Sequence, residues 1–172
     1  MSTLTVQTLQ APTSGANANK VLVGSGHTLH AAGHVIQVVE GSATAFNVTS
    51  STSLTASNLS ATITPKFSSS KILISLSING AYHATETDYL VFHIYKGSSN
   101  HHSVSTAVGQ NGETASQSVA HYYLDSPSTT SATTYTLYMR SGTGAANVGI
   151  NNYGIGGNGS TRSTIILTEI AQ

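Results

Sequence analysis

Glu86 and Asp88, two positions apart, are the closest acidic pair in the chain, and paired carboxylates are what glycoside hydrolysis uses. Hydrolases draw such carboxylates from separate strands across a cleft, whereas this pair falls in one short stretch between Tyr82 and Tyr89 and reads as a solvated loop. With His83 the stretch becomes His-x-x-Glu-x-Asp, a potential divalent-cation set, but oxygen-rich cation sites offer more ligands than this. Histidine is the other metal-ligating type in quantity: His27, His30 and His34 fall at i, i+3 and i+7, and His101 and His102 are adjacent. In a three-fold assembly a single histidine near the axis is presented three times and could supply a three-nitrogen site. Glycines interrupt the 27–34 segment, and no carboxylate lies close by to orient the rings. No metal or other cofactor is therefore expected, and His27, His30 and His34 are the residues that would hold one.

Other chemistries fail on their motifs. There is no Gly-x-Ser-x-Gly, and Gly24-Ser25-Gly26 and Gly97-Ser98 are turns in a chain whose loops all contain serine. Gly154-Ile155-Gly156-Gly157-Asn158-Gly159 lacks the following Lys-Ser/Thr and the helix that a phosphate site needs. Without cysteine there is neither a thiol nucleophile nor a disulfide framework. No enzymatic activity is expected.

The elements that would position any site are strands. Period-2 alternation recurs with short Gly/Ser/Asn punctuation, most clearly at Lys71–Ile78, where Ile72, Ile74, Leu76 and Ile78 alternate with Lys71, Leu73, Ser75 and Ser77. Leu90, Phe92 and Ile94 repeat the pattern, while Val91, His93 and Tyr95 make the opposite face semi-apolar, so that strand packs on both sides. Further strands are expected at Val35–Val39, Phe46–Val48, Ser60–Thr64, Ser103–Val108, Gln117–Leu124, Thr133–Arg140, Asn147–Asn151 and Ser163–Ile170. The expected core also includes Tyr135, Leu137, Ile166 and Ile170. Asn79-Gly80, Asn111-Gly112 and Asn158-Gly159 read as turns. Ten short strands imply an all-β fold, a two-sheet sandwich of jelly-roll type.

The division falls after residue 33. Residues 34–172 form the β-sandwich head, whereas 1–33 hold too little apolar surface for a core and read as an extended arm. Leu4, Val6 and Leu9 are spaced to add a strand to a partner, and 12–20 forms a small polar hinge.

Charged residues are 7% of the 172, with six Lys/Arg cancelling six Asp/Glu, so neither a nucleic-acid surface nor a basic membrane-binding helix is available. The 26 serines and 24 threonines supply the polarity that charge usually supplies. No run of ~18 apolar residues is present and the start has no signal-peptide pattern, which sets the expectation of a protein neither membrane-inserted nor exported by the standard route.

Five segments carry a resemblance. MSTLTVQTLQ (1–10), GHVIQVVEG (33–41), SATITPKFSSSKILISLSING (60–80), YLDSPSTTSATTYTLYM (123–139) and STIILTEIAQ (163–172) resemble, in that order, small tail-fibre and virion-surface proteins of bacteriophages, notably of cyanophages and other aquatic phages. Lys96-Gly97 stands where such proteins often have Arg-Gly, and Thr168-Glu169-Ile170 where they often have Met-Glu-Ile. The resemblance implies a jelly-roll head like the tumour-necrosis-factor and complement-type knobs, a homotrimer assembled in the host cytoplasm and exposed on the virion surface.

That leads to a tail fibre or fibre-tip module for host attachment, with weak contacts to a host-surface glycan multiplied by three copies. The expected ligand loops are 98–102, 110–113 and 151–158, with Asn100, His101, His102, Asn111, Asn151, Asn152 and Tyr153 as amide forks and aromatic faces for sugars. The arm, through Leu4, Val6 and Leu9, would anchor the head to other virion proteins. The alternative is a capsid decoration or cement protein, favoured by the short length and the absence of a shaft.

Overall fold

The computed structural model describes residues 10–16, 22–25, 27–85, 87–108, 116–152 and 161–172. The chain divides into two compact units, Met1–His30 and Ala31–Gln172. The described residues of the first carry no strand or helix; a backbone bond from His27 N–H to the Gly24 carbonyl closes one turn there. The second unit begins a little earlier than the expected 33/34 boundary. Gly33 N–H donates to the Ala171 carbonyl and Ala171 N–H to the His34 carbonyl, so both residues join the sandwich.

Among its described residues the second unit is all-β, with ten strands and no helix. In order these are β1 (Val35–Ala43), β2 (Asn47–Thr49), β3 (Thr55–Ile63), β4 (Lys71–His83), β5 (Leu90–Lys96), β6 (Ser99–Val108), β7 (Ser116–Asp125), β8 (Thr133–Ser141), β9 (Val148–Ile150) and β10 (Ser163–Ile170). Each expected strand has its counterpart. They form two antiparallel sheets: β1, β10, β4 and β7 lie side by side with β9 and β2 extending the first, and β3, β8, β5 and β6 make the second.

The core lies between the sheets. Ile72, Ile74, Leu76 and Ile78 of β4 and Ile165 and Leu167 of β10 meet Leu59 and Ile63 of β3, Leu90, Phe92 and Ile94 of β5, and Tyr135, Leu137 and Met139 of β8. Each large side chain fully buried here contributes roughly 1.5–3 kcal/mol. The two-sided burial expected of β5 is present, since Val91 is buried and His93 and Tyr95 are half-buried.

Two expectations are corrected. Asn79-Gly80 is not a turn but a bulge inside β4, with the β7 register shifting between Ile78 and Ala81. Gly80 sits at φ 60°, and any Cβ there would collide with the Asn152 backbone. The bulge flips the alternation: even positions face the core up to Ile78, and Ala81 and His83 face it afterwards. Secondly, β10 runs in the opposite phase. Ser163, Ile165, Leu167 and Glu169 are buried, leaving the expected core residues Ile166 and Ile170 half-buried on the outer face.

Candidate functional site

The carboxylates decide whether hydrolytic chemistry is available. Asp88 is buried, and its oxygens accept bonds from the Ser141 hydroxyl (2.6 Å) and from the backbone N–H groups of Tyr89, Gly142, Thr143 and Ala146. Burial pushes its carboxyl up, but these five donors outweigh it and hold it down at about 2. The solvated-loop reading of Asp88 is thereby corrected: it is the organiser of the 141–146 turn. Its neighbour Glu86 lies outside the described residues. His83 is also buried, with Nδ1 bonded to the Thr85 carbonyl at 2.8 Å.

Glu169 plays a similar part at the end of β10. It accepts from Gln37 Nε2 (2.6 Å) and from Lys66 and Phe67 N–H, tying the β3–β4 connection to β1 and β10. Burial raises its carboxyl, yet the bonds prevail and hold it below its ordinary value.

A third polar cluster lies along the seam where β6, an edge strand of one sheet, faces β7, an edge strand of the other. Asp125, almost fully buried at the end of β7, accepts from the Tyr135 hydroxyl (2.6 Å), Lys96 Nζ (3.1 Å) and His101 Nε2 (3.0 Å). Burial raises its carboxyl; Tyr135 and Lys96 bonds and the Lys96 and His101 charges reverse this and lower it. Burial first, and the adjacent carboxylate second, drive the Tyr135 hydroxyl far up, so it remains a donor. Above this group, His102 Nε2 lies 3.0 Å from His121 Nε2, and the His102 ring stacks on Tyr123 with centroids 4.0 Å apart.

The expected ligand residues fare differently. Asn100, His101 and His102 are not in a loop: Gly97, at φ 59°, closes a two-residue hairpin, and β6 already begins at Ser99. Asn100 is exposed and its Oδ1 meets His93 Nδ1 at 3.0 Å, while His101 and His102 turn to the seam. Asn151 and Asn152 are buried, which removes them from any surface site. Asn151 donates to the Ala45 carbonyl and accepts from the Ser163 hydroxyl, and Asn152 N–H donates to the Gly80 carbonyl. Asn111, Tyr153 and the arm residues Leu4, Val6 and Leu9 lie outside the described residues. His27, His30 and His34 are exposed, and among the described residues no three His, Asp or Glu side chains form a metal-binding group.

The two outer faces contrast. On the β1–β10–β4–β7 sheet, Val38, Thr168, Leu73 and Leu124 form one cross-strand row and Glu40, Ile166, Ser75 and Tyr122 the next. Val38 is 59% exposed, Tyr122 69% and Leu124 46%, and the single charge in these rows, Glu40, pairs with Arg162. The outer face of the other sheet is hydroxylated and aromatic. Ser60, Thr136, Tyr95 and Asn100 share a row, and Tyr95 stacks on Tyr138 with centroids 3.6 Å apart. The exposed apolar side chains of the β1–β10–β4–β7 sheet lie on β1 and β7, where Val38, Tyr122 and Leu124 carry a sequence signal too short to weigh.

No protein-family model matches the chain, and the curated proteins contain no match to it.

Proposed function

We propose that the chain is a bacteriophage virion-surface protein, a homotrimeric jelly-roll head serving as a tail fibre or fibre-tip module for host attachment. The observation that carries the trimer is the outer face of the β1–β10–β4–β7 sheet, where Val38, Leu73, Tyr122, Leu124, Ile166 and Ile170 supply apolar side chains, with Lys71 at one end and Glu40 paired to Arg162 as the charges. Contiguous apolar surface of this kind is a sign of a partner, and two further copies of the chain supply one of matching character. The strand order supports the jelly roll: β1, β10, β4 and β7 oppose β3, β8, β5 and β6, the pairing that two interleaved Greek keys generate. The virion assignment rests on the resemblance of the five segments. The hydroxyl- and tyrosine-rich opposite face is then left outward, with Asn100, Tyr95 and Tyr138 offering amide and ring contacts to a host-surface glycan.

The test is gold labelling of the phage particles with an antibody to the purified chain. Label at the tail is the expected result, label over the head indicates capsid decoration instead, and particles without label contradict the virion reading.

A further inference from the structure

The β6–β7 seam holds two imidazoles in an arrangement with one solution for its protons. His102 Nε2 and His121 Nε2 are 3.0 Å apart while the ring centroids are 5.1 Å apart, so the rings point at each other head-on. That is the geometry of an N–H···N hydrogen bond, in which one Nε2 carries the hydrogen and the other offers its lone pair. The bond is also a structural tie, because among the described residues β6 pairs only with β5 in one sheet and β7 only with β4 in the other.

We propose that His102 and His121 form a one-proton latch that closes the seam near neutral pH and opens it in acid. A first added proton can enter at Nδ1 of the donating ring and leave the N–H···N bond in place; a second added proton, on the accepting Nε2, turns both Nε2 atoms into donors, leaves no acceptor between them, and sets two like charges at hydrogen-bond distance. The surroundings do not relieve this. From β5 the cluster is faced by His93 and Lys96, from β6 by His101, from β8 by Tyr135, and from β7 by Tyr123 and Asp125. The carboxylate of Asp125 is already taken by Tyr135, Lys96 and His101. Tyr123, stacked on His102 and edge-on to His101 at 5.4 Å, backs the ring so that it cannot turn away without disturbing the packing. Burial first, then the neighbouring His121, His101 and His93, hold His102 below its ordinary value, which agrees with a pair that resists the second proton.

The sign follows. A histidine depressed in the fold contributes stability that is present above its unfolded value near ~6.5 and is lost as pH falls through the folded value. The range from pH 8 to 5 therefore reads the latch, since the lowered carboxylates of Asp88, Asp125 and Glu169 take up protons below it.

The experiment is thermal unfolding of the full chain between pH 8 and 5 for the wild type, His121→Gln and His102→Gln, with NMR titration of the histidine rings. Glutamine keeps an acceptor oxygen and a donor without gaining charge, so each variant should lose much of the wild type's acid-induced fall in midpoint. His102 should titrate at higher pH in His121→Gln than in the wild type. An equal fall in all three proteins, with His102 titrating unchanged, overturns the latch. Should a variant fail to fold, the wild type alone still decides. At pH 8 its ring nitrogen shifts and couplings must show opposite tautomers for the two residues, and two Nε2–H tautomers contradict the bond.

Discussion

The Tyr135 hydroxyl donates to Asp125 Oδ2 at 2.6 Å, joining β8 of one sheet to the end of β7 in the other inside the sandwich. Because the acceptor is a nearly buried carboxylate, losing the donor costs more than an ordinary hydrogen bond. Tyr135→Phe should destabilise by about 1.5–3 kcal/mol. Asp125→Ala, which strands the hydroxyl and the Lys96 ammonium together, should cost about 3–5 kcal/mol. Denaturant unfolding of the two variants checks the order.

Asp88 predicts a distinct acid limb. Its folded value is depressed, so its contribution is present above the unfolded value of 3.8 and is lost as pH falls towards 2. That contribution is about 2 kcal/mol at neutral pH. Asp88→Asn, which sets an amide N–H against backbone donors, should lower the thermal midpoint by roughly 5 °C and make the stability change between pH 4 and 2 shallower, the remainder coming from the lowered carboxylates of Asp125 and Glu169. A variant that retains the wild-type acid limb in that range would show that Asp88 does not set it.

How far the sequence speaks is clear from β4 and β10. In β4 the alternation of Ile72, Ile74, Leu76 and Ile78 names the buried face unaided, because every residue on it is apolar. In β10 one row is Ser163, Ile165, Leu167 and Glu169 and the other is Thr164, Ile166, Thr168 and Ile170, and the charged end of the former gives the latter the character of a core face. Only the bonds from Gln37, Lys66 and Phe67, remote in sequence, make Glu169 a buried residue. The same limit applies to Asn79-Gly80, whose local signal suits a turn or a bulge equally. It applies to Asn151 as well, whose partner Ala45 is 106 positions away. Strand existence is a local property and is legible; the site depends on which remote groups meet a polar side chain and is not.

The phase of β10 yields a paired test. Ile74→Ala should cost about 2–5 kcal/mol through the cavity it leaves. Ile166→Ser, on the outer face, should leave the isolated fold near its original stability and weaken self-association instead. Equal thermal losses for both, with no change in mass, would place Ile166 in the core after all.

Residues 1–33 carry the proposed anchor. Deleting residues 2–33 removes Leu4, Val6 and Leu9 as well as the Gly33 N–H bond to Ala171, one hydrogen bond of the sandwich. The truncated head should fold with an unchanged far-ultraviolet dichroism spectrum yet fail to enter particles. Normal incorporation of the truncated protein would move the anchor into the β-sandwich.

The trimer is the claim on which attachment by many weak contacts depends, and solution mass tests it most directly. Multi-angle light scattering on the purified chain at micromolar concentration should give three times 17.7 kDa, with Tyr122→Ser combined with Leu124→Ser shifting it towards a single copy. A stable wild-type monomer of 17.7 kDa at that concentration would contradict the account.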